Sequence, residues 1–194
     1  MNKILEGYIE NVRQLVNNID TEKLLKIIKV LERGRRDKKR IFICGNGGSA
    51  TTANHFVCDL GKNAVKGDTG RINIISLCDN LATITAYGND FGYETIFEER
   101  LKNLMEEGDI IIAISASGNS TDILNGVEYA KKRNGYIISM TGFGGGKLKG
   151  LSDFNINIDS NIIEQVEDVH LMLEHMIVYY YKNSDITNID LHSI

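Results

Sequence analysis

An α/β fold built on a doubly wound, five-stranded parallel sheet, with flanking helices and an N-terminal helical extension, is what this sequence predicts. Three observations carry that expectation. Five short apolar runs recur, at 41–44, 72–77, 110–114, 136–140 and 154–158. Stretches of helical apolar spacing separate them, and strands that alternate with helices form parallel sheets covered on both faces. Two of the runs end in glycine- or serine-rich turns that open directly into a helical pattern.

The elements follow in order. Ile4, Leu5, Tyr8, Ile9, Val12, Leu15, Val16 and Ile19 recur at helical spacing over 2–19,. Asp20 or Thr21 then caps a second helix carrying Leu24, Leu25, Ile27, Ile28, Val30 and Leu31,. The cations that follow, Arg33, Arg35, Arg36, Lys38, Lys39 and Arg40, read as a helix C-terminus with a solvated loop, where positive charge offsets the helix dipole,. The first strand, 41–44, leads into a helix from Ala50 onward. A polar loop is expected over 61–71, the second strand at 72–77, and a helix opened by Asp79 that ends near Gly88. Residues 91–105 read as one helix before the third strand. The fourth strand is followed by a glycine turn over 141–146. A long helix over 163–181 closes the fold, and the last dozen residues read as frayed.

The 194 residues suffice for one domain, 1–194, with a full core,. Hydrophobic content of 42% and charged content of 25% are ordinary for a globular chain,. A net charge of −4 offers no general basic surface for nucleic acid,. No apolar run reaches membrane-spanning length, and no basic segment with an apolar core marks a signal peptide. Cys44, Cys58 and Cys78 lack metal-site or CxxC spacing and read as reduced, buried thiols of a cytoplasmic protein,.

Chemistry concentrates in a few places. Gly45-Asn46-Gly47-Gly48-Ser49 joins a buried strand to a helix start, so free backbone N–H groups and a helix dipole converge where glycines permit close approach. Neither GxGxxG nor the Walker pattern is present. The residues alone allow an anion site or a plain tight turn. Ser115-Ala116-Ser117-Gly118-Asn119-Ser120 repeats the design after the third strand, with hydroxyls and no charge, which suits a phosphomonoester held by neutral donors. Such turns at the carboxyl ends of parallel strands are where ligands gather in open α/β sheets. His55 and Asp59 share a helix face, as do Glu167 and His175 on the closing helix; the residues alone also allow packing or solvated-face roles for each.

CGNGGS at 44–49, GNDFGYE at 88–94 and ISASGNS at 114–120 together resemble the sugar isomerase (SIS) domain, and within it the phosphoheptose isomerases, over about residues 4–181. The resemblance implies an SIS-type sheet and interconversion of sedoheptulose 7-phosphate with D-glycero-D-manno-heptose 7-phosphate through an enediol. It implies a Zn²⁺ ion held by His55, Asp59, Glu167 and His175, with Asp59 and His175 as the proton-transfer pair. It implies contacts to the phosphorylated sugar from Asn46, Gly47, Gly48, Ser49, Asp90, Ser115, Ala116, Ser117, Ser120 and Glu167. The leading helix would join neighbouring subunits in a homotetramer with sites at subunit interfaces, the metal-binding and catalytic groups drawn partly from neighbouring subunits, and His170 would be a core or supporting histidine. Departures are visible. Asp59 stands where the family carries glutamate, Glu167 where it carries glutamine and Ala116 where it carries threonine. Asn63, beside Lys62, replaces a sugar-holding arginine, and Glu164-Gln165 replaces an Asp-Arg pair. A second class of protein on the same fold, a non-catalytic sugar-phosphate binder or assembly factor, is the alternative; retention of Asp59 and His175 favours the enzyme.

Overall fold

The computed structural model describes residues 2–65 and 70–191. Its sheet has five parallel strands: β1 (Arg40–Gly45), β2 (Asn73–Ser76), β3 (Ile110–Ser115), β4 (Tyr136–Thr141) and β5 (Phe154–Asn157), in the order β2-β1-β3-β4-β5. The helices are α1 (Lys3–Asn17), α2 (Thr21–Arg36), α3 (Gly48–Asn63), α4 (Leu81–Phe91), α5 (Ile96–Leu104), α6 (Thr121–Lys132), α7 (Gly146–Leu151) and α8 (Ile163–Asn183).

Side-chain alternation along the strands makes two cores. Ile41, Ile43, Ile110, Ile112, Ile138 and Ile156 face one side and pack with buried residues of α2, α3 and α8. Phe42, Cys44, Ile111, Ala113 and Ile137 face the other, against α5, α6 and α7. Both faces are buried, so the strands read as continuous apolar runs. The chain leaves β1 in one direction to reach β2, then returns to β3 on the other side and continues outward. That reversal sets the topological switch point between β1 and β3, where Gly45 lies in register with Ile114,.

Several sequence expectations change in detail. Asp20 caps α2 through the Lys23 N–H at 2.9 Å. The cap of α4 is Asn80, which accepts from the Thr83 N–H at 3.0 Å; Asp79 instead accepts from Arg100 at 2.6 Å. The helix expected over 91–105 is broken at Gly92, whose φ of +95° suits glycine alone, and resumes through a 3₁₀ turn at Tyr93–Thr95,. The loop expected over 61–71 begins later, because α3 runs through Asn63; residues 66–69 lie outside the described residues. The short helix α7, absent from the sequence reading, follows the glycine turn.

The basic cluster closes α2 as expected, with Arg33, Arg35 and Arg36 in its last turn and Lys38 exposed beyond it, but the three arginines have partners. Buried Glu32 accepts from Arg35 at 2.5 and 2.8 Å and from Arg36 at 2.9 Å. Arg36 also donates to the Ile186 and Thr187 carbonyls, and Arg33 to that of Leu191. These contacts pin a C-terminal segment expected to be frayed, and Ile186 is buried beneath it. Cys44 is buried, but Cys58 is exposed on the face of α3 opposite Ala53, Phe56 and Leu60. The leading helix α1 finds partners within the chain: Val12, Leu15 and Val16, with Ile19 just beyond it, pack on the core, and Tyr8 donates to Asp168 at 2.6 Å. Ile4, Leu5 and Ile9 stay exposed.

Candidate active site

Both ligand-type turns flank the switch point. Gly47, at φ +52°, stands two residues after β1 at the N-cap of α3 and lets the chain enter that helix with no side chain on its first amides,. Asn46 is locked from two sides: its amide N–H donates to Asp122 of α6 at 2.8 Å, and its carbonyl oxygen accepts from the Tyr93 hydroxyl at 2.9 Å. Burial, then the charge of Asp122, raises the Tyr93 pKa and keeps that hydroxyl a donor,. Ser49 is buried in the first turn of α3. Across the switch point, Ser115 and Ser120 hydroxyls lie 3.3 Å apart, and Ser120 begins α6 without spending its side chain on the cap. Ser117 is exposed and accepts from the Asn119 N–H. Ala116 is buried, its carbonyl accepting from Gly142. Gly118, at φ +62°, lies against the Gly145 carbonyl, so the serine turn rests on the glycine turn after β4. Asp90, near the end of α4, is exposed and accepts from Asn89.

Helices α3 and α8 pack together, and at their contact four side chains converge: His55 and Asp59 from α3, Glu174 and His175 from α8. One ligand-type atom from each lies within 4.8 Å of all the others. His55 Nε2 is 3.2 Å from His175 Nε2, 3.5 Å from a Glu174 carboxylate oxygen and 3.6 Å from Asp59 Oδ2. Lys62 Nζ stands 3.9 Å from Asp59 Oδ1 at the rim. Glu174 is fully buried and neither of its oxygens accepts a hydrogen bond. Burial pushes its pKa up to about 8, with the Asp59 charge adding to the effect,.

Imidazole and carboxylate donors with a buried, unsatisfied carboxylate among them form a set that fits a divalent cation. Three of the expected ligands, His55, Asp59 and His175, are therefore brought together. Glu167 is not in the group. Eight residues before His175, it lies roughly 12 Å along the helix, against the glycine turn: a Cβ added at Gly48 would sit 2.5 and 2.7 Å from its carboxylate oxygens. Glu167 thus belongs with the turn, and Glu174 takes the fourth place. Sequence reasoning missed Glu174, although it is the one acid within the apolar stretch Leu171–Val178. It missed Tyr93 and Asp122 as well, because nothing local joins them to Asn46. His170 is buried, with Nε2 3.1 Å from the Thr141 carbonyl.

An open parallel α/β sheet, with neutral phosphate-type donors at its switch point and a cation-type group further along α3, is the architecture of a ligand-binding α/β protein whose site suits a phosphorylated small molecule,. The SIS domain family model matches residues 7–142. The probable phosphoheptose isomerase of Thermoplasma acidophilum is 33% identical over 170 residues, 88% of this chain and 93% of that one. The phosphoheptose isomerase of Helicobacter pylori is 34% identical over 91% of this chain and 85% of its own. The phosphoheptose isomerase structure from Francisella tularensis superposes with a TM-score of 0.84 at 27% identity, covering 94% of this chain and 96% of the other. The chain belongs to the SIS domain family, within its phosphoheptose isomerase branch.

Proposed function

We propose that the protein is an aldose–ketose isomerase of a phosphorylated sugar, and that it interconverts sedoheptulose 7-phosphate and D-glycero-D-manno-heptose 7-phosphate. The observation that carries this reading is the placement of two kinds of chemistry on one helix. Gly48, at the phosphate-type turn, and His55, in the cation-type group, are seven residues apart on α3. That is about 10 Å of helix rise, on the order of the reach from the phosphate to C1 of an extended seven-carbon sugar phosphate.

In this reading Ser49, Ser115, Ser117 and Ser120 donate to phosphate oxygens, together with the N-terminal amides of α3 and α6, whose dipoles favour the anion. Asn46, held by Asp122 and Tyr93, fixes the turn, and Gly47, Gly48 and Ala116 keep the backbone accessible. Asp90 and Glu167 offer acceptors to sugar hydroxyls. Asp59 takes the proton from C1 of the ketose, giving an enediol, and His175 serves the accompanying proton transfer between the oxygens; return of a proton to C2 completes the aldose. A Zn²⁺ ion, which His55, Asp59, His175 and a carboxylate of α8 would hold, supplies Lewis-acid polarisation of the sugar oxygens. Asp59 is one methylene shorter than the glutamate that the resemblance implies; retention of an acid there and of His175 favours the enzyme, and sugar-phosphate binding without turnover is the second reading, which would hold if the shorter side chain fails to reach C1.

The proposal extends to a homotetramer in the cytoplasm. Exposed Ile4, Leu5 and Ile9 on α1, and an apolar groove between α2 and α8 lined by Leu24, Ile28, Met172, Met176 and Tyr179, support association,. Three free cysteines suit a reducing compartment,.

The test is turnover of sedoheptulose 7-phosphate by purified protein, with added zinc and after chelation. The expected result is zinc-dependent formation of the aldose, abolished in Asp59→Asn while sugar-phosphate binding persists. Undiminished turnover by Asp59→Asn moves the base elsewhere. Saturable binding by the wild type without turnover establishes the second reading instead.

A further inference from the structure

We infer that Glu174 is a metal ligand of this chain, so that the cation site is built from two imidazoles and two carboxylates, His55, Asp59, Glu174 and His175, with Glu167 outside it. The inference deepens the isomerase reading, since it concerns the same site, but it stands on geometry that does not require turnover.

The first observation is convergence. Three acceptor-type groups surround one nitrogen, His55 Nε2, at 3.2 Å (His175), 3.5 Å (Glu174) and 3.6 Å (Asp59). An imidazole nitrogen carries at most one proton, which points in one direction, so it satisfies one of the three as a hydrogen-bond donor. Four donor atoms around a tetrahedral zinc at about 2.0–2.2 Å, however, are separated by about 3.4 Å, the edge of that tetrahedron. The three separations match the edges of a coordination shell, and only the His175 one is also of hydrogen-bond length,.

The second observation is the state of Glu174 itself. It is fully buried and neither of its oxygens accepts a hydrogen bond. Buried charges are paired or coordinate metals, because desolvation without a partner is costly. Glu174 faces His55 at 3.5 Å across the α3–α8 contact, and that contact leaves no other cationic side chain within ion-pair distance of it among the described residues. Glu167, by contrast, rests on the Gly48 turn at the start of α3, where the helix dipole favours a carboxylate,. The two acids of α8 thus divide their tasks: Glu174 neutralises the cation, and Glu167 faces the sugar-binding end. Two carboxylates cancel the charge of a divalent ion, which strengthens its retention.

The experiment is a zinc titration of metal-free full-length protein in competition with a chromophoric chelator, applied to the wild type, Glu174→Gln and Glu167→Ala. Visible ligand-field spectra of the Co²⁺-loaded proteins accompany it. Loss of a supporting group around a metal typically costs 10–100-fold in affinity, so loss of a ligand is expected to cost roughly 100-fold or more in Glu174→Gln, with an altered Co²⁺ spectrum. Glu167→Ala, which removes any ligand atom at that position, is expected to stay within about 3-fold of the wild type, its Co²⁺ spectrum unchanged. Metal-free thermal unfolding of Glu174→Gln controls for folding: its midpoint should stay close to the wild type's, because the amide has the shape of the carboxyl group and adds no buried charge. Wild-type zinc affinity and spectrum in Glu174→Gln, or an equal or larger loss in Glu167→Ala, overturns the assignment. Wild-type metal binding without turnover overturns the isomerase reading and leaves this one standing.

Discussion

Acid should destabilise this protein through His170. The side chain is 1% exposed, Nε2 lies 3.1 Å from the Thr141 carbonyl and Nδ1 has no partner. Burial lowers the pKa from 6.5 to about 4, and the Thr141 carbonyl opposes that shift only in part,. A folded-state pKa below the unfolded one means that the unfolded chain takes up its proton first. The stability is therefore full above pH 6.5 and is lost as pH falls through 4. A shift of this size at 1.36 kcal/mol per unit is worth about 3 kcal/mol, a large share of the 5–15 kcal/mol typical of a domain. The assay is urea unfolding at pH 7, 6, 5 and 4, with chelator present and protein concentration fixed, for the wild type and His170→Gln. Subtracting the variant removes the carboxylate titrations common to both. The wild-type-minus-variant difference should fall by about 3 kcal/mol between pH 7 and 4, at constant m value. A difference that does not change with pH would refute the reasoning, because it would mean that His170 is hydrated or already charged in the folded protein.

Two further outcomes follow from the turns. Ser117 accepts from the Asn119 N–H, and its hydroxyl proton remains to donate; Ser117→Ala should cost about 1.5–3 kcal/mol, or roughly 10- to 150-fold, in sugar-phosphate affinity by calorimetry. Unchanged affinity would move the phosphate away from this turn. Gly118→Ala combines a φ of +62° with a Cβ driven into the Gly145 carbonyl, a backbone atom that cannot swing aside; it should cost about 3 kcal/mol or more in unfolding free energy, and a neutral result would separate the serine turn from the glycine turn.

Much of this architecture is local and was legible. Five apolar runs became five strands, because a strand buried on both faces has to be apolar throughout. Asp20 capped α2 as its position suggests, and His55 and Asp59 shared a face because four residues make about one turn. Misreadings came where a competing partner outside the segment won. Asp79 was drawn off to Arg100, which left the α4 cap to Asn80. Arg33 and Arg36 found carbonyls of the C-terminal segment some 150 residues away in sequence.

By itself, then, the sequence determined the order of strands and helices along the chain and the two ligand-type turns, which are properties of short-range spacing, while three of the four members of the cation group came from the resemblance to the family. Only the tertiary structure decided the switch point between β1 and β3, the lock of Asp122 and Tyr93 on Asn46, and which acid of α8 meets His55. Glu167 and Glu174 are chemically the same residue on one helix. Their difference arises from the α3–α8 contact, which buries Glu174 beside two imidazoles and lays Glu167 on the Gly48 turn; helical periodicity orders residues along a face, but it does not say where another helix will cross it.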